Sequence, residues 1–83
     1  MYQVVIEKQA QKQLAKIPPP QYQSISAALK NLEVNPRPQG YKKLKGRTGF
    51  RVRIGDYRII YNIEDTILTV FVFIIGNRKD VYD

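Results

Sequence analysis

Eighty-three residues carry 14 Lys or Arg against 7 Asp or Glu, a formal net charge of +7, with no His, Cys or Trp. The usual zinc sites, disulfides and Ser-His or Cys-His nucleophilic pairs are therefore excluded, and the commonest general acid–base group is missing. The length suits one small domain, residues 1–83, with a modest core, and the charge excess points to a polyanionic or acidic partner.

In chain order, Tyr2 to Ile6 is short, apolar and β-branched, which predicts a buried strand. The period then changes. Ala10, Leu14 and Ile17 form one stripe of an amphipathic helix, with Lys8, Lys12 and Lys16 on its other faces. Pro18-Pro19-Pro20 stops that helix and can open the next, along which Tyr22, Ile25, Leu29 and Leu32 trace a second stripe ending before Asn35-Pro36. An antiparallel helical hairpin is expected.

Beyond Gly40 the pattern is β. Tyr41 to Leu44 is a short strand candidate and Gly46-Arg47-Thr48-Gly49 a loop; Phe50 to Ile54 alternates as a half-buried strand does. Gly55-Asp56 is a two-residue hairpin signal with Gly first, as a type II′ turn prefers, and Tyr57 to Ile63 returns as the next strand. Glu64-Asp65-Thr66 turns the chain. Ile67 to Ile75, apolar at nearly every position, reads as a central strand covered on both sides and ended by Gly76. That run is too short for a membrane-spanning helix, and the N-terminus lacks the features of a signal peptide, so a cytoplasmic protein without membrane association is expected. The fold class is α+β: an N-terminal strand, an antiparallel helical hairpin, then a mostly antiparallel sheet of four to five strands with the helices on one face.

The two-residue turn fixes a register. Ile54 should oppose Tyr57, Arg53 oppose Arg58, Val52 oppose Ile59, Arg51 oppose Ile60 and Phe50 oppose Tyr61. Phe50, Val52, Ile54, Tyr57, Ile59 and Tyr61 then share the face that packs on the helices, and Arg51, Arg53, Arg58, Ile60 and Asn62 share the other. Like charges directly across a strand pair disfavour folding, so Arg53 opposite Arg58 calls for an explanation. Residues 42–58 hold seven basic side chains (Lys42, Lys43, Lys45, Arg47, Arg51, Arg53 and Arg58) against one acid, Asp56. A solvated basic face that confers solubility is one account; a phosphate-binding face, where an anion relieves the repulsion, is the sharper one.

Cleaving RNA without a metal requires a base for the 2′-hydroxyl, cations for the phosphorane and an acid for the leaving oxygen. Arginines can stabilise the developing charge but stay protonated, so they make poor bases. A lysine crowded by cations has its pKa pushed down and can serve, which makes Lys43 and Lys45 candidates. Tyr82 could help position the reacting groups. Glu64 and Asp65 read as turn residues, and no carboxylate cluster suggests a metal site or any cofactor.

The run Lys43-Leu44-Lys45-Gly46, the block Phe50-Arg51-Val52-Arg53-Ile54-Gly55-Asp56-Tyr57-Arg58-Ile59-Ile60-Tyr61 and the tail Ile75-Gly76-Asn77-Arg78-Lys79-Asp80-Val81-Tyr82 together resemble the RelE family of bacterial and archaeal toxins over essentially the whole chain. The resemblance implies the toxin of a type II toxin–antitoxin pair, which enters the ribosomal A site and cleaves mRNA there using basic residues on the sheet in place of a histidine pair. It also implies an acidic antitoxin protein, the ribosome and mRNA as partners. Arg51 and Arg53 stand where the best-studied members have lysines, and Lys45 where they have an arginine. Arg58 matches the arginine that stabilises the transition state, Arg78 the arginine proposed as general acid, and Tyr82 the tyrosine that orients the base. With lysine absent at 51 and 53, the base falls to Lys45 or Lys43. Asn77 stands where many relatives carry His and cannot exchange a proton, so slower cleavage is expected. The resulting expectation is a catalytic set of Lys45, Arg53, Arg58, Arg78 and Tyr82, with Lys42, Lys43, Arg47 and Arg51 binding RNA. Two further readings remain: a gyrase inhibitor like the related ParE toxins, and a non-catalytic basic RNA-binding module.

Overall fold

The computed structural model describes residues 1–77. Strand β1 (Gln3–Ile6) leads through extended Glu7 into helix α1 (Lys8–Ala15). The helix is shorter than its apolar stripe: it ends before Pro18, and Ile17 is buried from the connection rather than from the helix. The proline carbonyls then start α2 (Gln21–Val34), since Pro18 accepts from the Tyr22 N–H and Pro20 from the Ser24 N–H. Ile25, Leu29 and Leu32 bury one face of α2. Tyr22, expected on that stripe, stands in the first turn of α2 and is 41% exposed. At the far end Asn35 is extended and its side-chain oxygen accepts from the Arg37 N–H, so the helix stops in a short Asx turn.

The remaining strands are β2 (Lys42–Lys43), β3 (Phe50–Ile54), β4 (Tyr57–Glu64) and β5 (Thr69–Asn77), with a single 3-10 turn (Asp65–Ile67) before the last. The five form one sheet in the order β1-β5-β4-β3-β2, parallel between β1 and β5 and antiparallel elsewhere. The α+β architecture with both helices on one face is as the sequence predicts. The β3–β4 register matches residue for residue, and Gly55 has φ +60° while Asp56 has no positive φ, the signature of a type II′ turn.

The last strand differs from expectation at both ends. It begins at Thr69: Ile67 and Leu68 are 61% and 51% exposed in the turn, where Leu68 takes a left-handed φ of +48°. It also runs through Gly76 to Asn77, because pairing with Arg58 and Tyr57 carries the backbone past the glycine. β5 outruns β1, whose pairing ends at Val72, and Gln13 of α1 takes over: the Ile75 N–H donates to its Oε1 at 2.8 Å.

The principal core lies between the helices and one sheet face. Ala10, Ile25 and Leu32 meet Ile59, Tyr61, Val70, Val72 and Ile75, all at 1% exposure or less. Burying one such large apolar side chain stabilises the fold by about 1.5–3 kcal/mol. Tyr61 keeps its hydroxyl bonded by donating to the Pro36 carbonyl at 2.8 Å, and burial pushes its pKa well above that of a free phenol. Next to Pro36, Asp65 accepts from the Tyr2 hydroxyl (2.6 Å) and pairs with Arg37 (2.9 Å), tying the residue before β1, the α2–β2 connection and the 3-10 turn together. Among the described residues no helix is long and apolar enough to cross a membrane.

Candidate nucleic-acid interface

Directly paired residues share a sheet face, so the register can be read across the helix-free side row by row. One row runs Lys42, Arg51, Ile60, Ile74 over strands β2 to β5. The next runs Arg53, Arg58, Gly76. Two like-charged pairs therefore sit directly across neighbouring strands, Arg53 with Arg58 and Lys42 with Arg51. The sequence suggests the first. The second depends on the offset of β2, which the Gly40–Gly49 segment leaves open.

Arg53 and Lys42 are exposed and Arg58 is half-buried. Arg51 is not the open phosphate contact its place on this face suggests: only 8% of it is exposed. Lys43 pairs with Phe50, which puts it on the helix side at the sheet edge, away from the arginines. Lys45 and Arg47 are exposed in the β2–β3 loop, which the Leu44 N–H closes onto the Gly49 carbonyl at 3.0 Å. Gly49 is required there. Its φ is +129°, and an added Cβ would lie 2.9 Å from the Tyr61 carbonyl oxygen and 3.2 Å from Leu44. Arg78 and Tyr82 lie outside the described residues.

The same face carries apolar groups that sequence reasoning misses. Leu44 and Ile60, 5% and 1% exposed, form a second small core with half-buried Phe73 and Ile74. The cause is a bulge in β5. Ile60 pairs with Ile74 but Tyr61 pairs with Val72, so Phe73 is an extra residue without an opposite number. Ile75 and Val72 both remain in the helix-side core, and Phe73 joins Ile74 on the other face. Phe71, paired with Asn62, lies on that face too and is half-buried. Bulges leave no reliable trace in a run such as Thr69-Val70-Phe71-Val72-Phe73-Ile74-Ile75, where every side chain is suited to a strand.

Chemically, the face offers guanidinium forks that match phosphate oxygens two at a time and exposed ammonium groups beside them. Lys43, on the other face, is poorly placed to act as a base for a substrate held by these arginines; Lys45 and Lys42 remain. Among the described residues no group of three or more carboxylates gathers as a metal-ligand set.

Comparison with known proteins places this arrangement. Residues 4–82 match the family described as the ParE toxin of type II toxin–antitoxin systems, parDE. The structure is similar to the archaeal RelE–RelB complex of Pyrococcus horikoshii, at 29% identity and a TM-score of 0.83, covering 96% of this chain and 98% of that one. It is likewise similar to the toxin–antitoxin complex RelBE2 of Mycobacterium tuberculosis, at 29% identity and a TM-score of 0.82, covering 93% and 98%. The intact Escherichia coli RelBE complex shares the fold at 24% identity, with a TM-score of 0.75 over 93% and 96% of the two chains. A search of curated protein sequences returned no match. The chain thus belongs to the ParE toxin family of type II toxin–antitoxin systems, within the RelE/ParE superfamily.

Proposed function

We propose that this toxin is a ribosome-dependent endoribonuclease that stops translation by cutting mRNA in the A site, in a cytoplasmic setting and without a metal. The observation that carries the reading is the two like-charged cross-strand pairs, Arg53 opposite Arg58 and Lys42 opposite Arg51, on a face that no helix among the described residues covers. Like charges set across neighbouring strands favour negative charge brought among them, and a strand of RNA supplies phosphates in a row. In the proposed reaction a base removes the 2′-hydroxyl proton and the oxygen attacks the neighbouring phosphorus. Arg53 and Arg58 stabilise the charge that builds on the phosphorane. The 5′-oxygen leaves with a proton supplied by an acid, for which sequence position nominates Arg78. Lys45 is the assigned base, and Tyr82 orients the reacting groups. An acidic antitoxin, by likeness to the RelE–RelB complexes, would bind the toxin and neutralise this charge.

The test is to express the chain alone and map cleavage on translated mRNA, beside an Arg58→Ala, Arg78→Ala double variant. Native cutting with at least a hundredfold loss in the variant is expected. Equal cutting by both would overturn the residue assignment, and neither cutting nor growth arrest by the native chain would overturn the function.

The family match favours a second reading, inhibition of gyrase in the manner of ParE toxins. The two part at the cell: a nuclease stops translation first, whereas a gyrase inhibitor provokes a DNA-damage response while translation continues.

A further inference from the structure

Two half-buried phenylalanines lie on the helix-free face, and neither the principal core nor the proposed phosphate chemistry uses them. Phe71 follows from its pairing with Asn62, and Phe73 is turned to this side by the bulge. Bulges recur beside functional sites because they re-aim a side chain at little cost to the rest of the sheet. Here the effect is to put Phe73 and Ile74, neighbours in sequence, on one face. Strands are about 4.8 Å apart, so β5 lies about 10 Å from β3, across β4. The aromatic strip runs along β5 toward the Gly76 end of the row of Arg53 and Arg58, with Phe73 three residues, about 10 Å, or one to two nucleotides, away. Ile60 and Ile74 lie between Phe73 and Arg58, and Gly76, opposite Arg58, adds no side chain at that end of β5.

We infer that Phe73, assisted by Phe71, is a stacking platform for the bases of the single-stranded RNA whose phosphates lie on Lys42, Arg53 and Arg58. The inference rests on the nuclease reading of this face and adds the part that grips bases rather than backbone. Charge selects the occupant. A protein carrying +7 with exposed cations beside aromatic rings is matched by a flexible polyanion with π-faces, which is single-stranded nucleic acid. Stacking is tolerant of sequence because every base offers a π-face, so the platform would fix the strand at the reacting phosphate without demanding one base. Phe73 is a positioning residue in this scheme. It touches the substrate beside the scissile bond and takes no part in proton transfer.

The experiment uses the full chain and two fluorescein-labelled eight-nucleotide strands carrying non-cleavable 2′-O-methyl sugars, one with bases and one abasic, of equal charge. The native protein should bind the strand with bases about tenfold more tightly, the effect of one stacked base. Phe73→Leu keeps an apolar side chain against Leu44 and Ile60 but removes the ring. It should bind both strands alike, at the abasic affinity, with the dependence on salt unchanged. Equal affinity of the native protein for the two strands, or retained discrimination in both Phe73→Leu and Phe71→Leu, overturns the platform while leaving the phosphate site standing. If the native protein binds neither strand at low salt, the RNA reading of the face falls and the platform with it. Should Phe73→Leu fail to fold, the native comparison and Phe71→Leu still decide.

Discussion

The two faces of this sheet are built from the same strands and obey opposite rules. On the helix side, Val52, Ile59, Tyr61 and Ile75 interlock with Ala10, Ile25 and Leu32, and the buried Tyr61 phenol has its hydrogen bond. On the other side, two pairs of cations face each other across neighbouring strands, and the apolar cluster around Leu44 and Ile60 is small. The first face is arranged for stability. The second sets like charges across from each other, a departure that accords with the binding role proposed for it. Adjacent residues on one strand can therefore do unrelated jobs, since alternation sends each to a different environment.

Ile59 and Ile60 offer the strongest test of that contrast. They are neighbours of the same type, 0% and 1% exposed, on opposite faces. Ile59→Ala should cost about 4 kcal/mol and Ile60→Ala about 2 kcal/mol in urea unfolding, because the larger helix-side core leaves a less collapsible cavity. Equal losses would mean that the helix-free cluster is as much a core as the other.

A smaller effect is expected from anions. If repulsion on the basic face is relieved by a bound anion, 50 mM sulfate should raise the native melting temperature by a few degrees over chloride at equal ionic strength, equivalent to about 1 kcal/mol. Arg58→Gln should shrink that gain. An identical response in both proteins would show that the face does not gather anions.

The smallest effect concerns the margin that belongs to neither face. The Arg37 guanidinium, and then the Tyr2 hydroxyl, hold the Asp65 carboxyl below the ordinary carboxylate range. Its contribution is present above the unfolded carboxylate pKa, near 3.9, and is lost as pH falls through the lower folded value. Tyr2 is shifted the other way, raised chiefly by its bond to Asp65, so its contribution holds below about pH 10 and fades as pH rises through the folded value. Melting temperature should therefore decline at both extremes, and Asp65→Asn should flatten both limbs slightly, since the groups are exposed. A profile unchanged by the substitution would remove the network from the account of stability.

Where the sequence was legible, a local rule was strong. Gly55-Asp56 left one plausible turn, and that turn dictated every partner between Phe50 and Tyr61. Ile25, Leu29 and Leu32 declared the buried side of α2. Legibility failed where long-range pairing overrides local preference. Nothing in Ile67 and Leu68 announces that they are spent on a turn, and Gly76 stays in the strand only because β4 is long enough to hold it. In the candidate site, Arg53 and Arg58 could be placed from their distance to the turn. Lys42 and Lys43 could not be told apart, since a two-residue edge strand has no pattern, and the burial of Arg51 is decided by what surrounds it rather than by its own position. Phe73 was hidden by the same uniformity that makes its strand easy to recognise.

The first strand pairs with the last. Gln3 through Ile6 lie beside Thr69 through Val72, with the remaining strands stacked outward from β5 and α1 packed against it. During synthesis β1 has no partner in the sheet until β5 has been made. Because β5 lies between β1 and β4, a product lacking it has no seam joining β1 to the other strands. Pairing between segments more than sixty residues apart is slow to form, so the sheet that displays Arg53 and Arg58 is complete only once β5 has joined both β1 and β4.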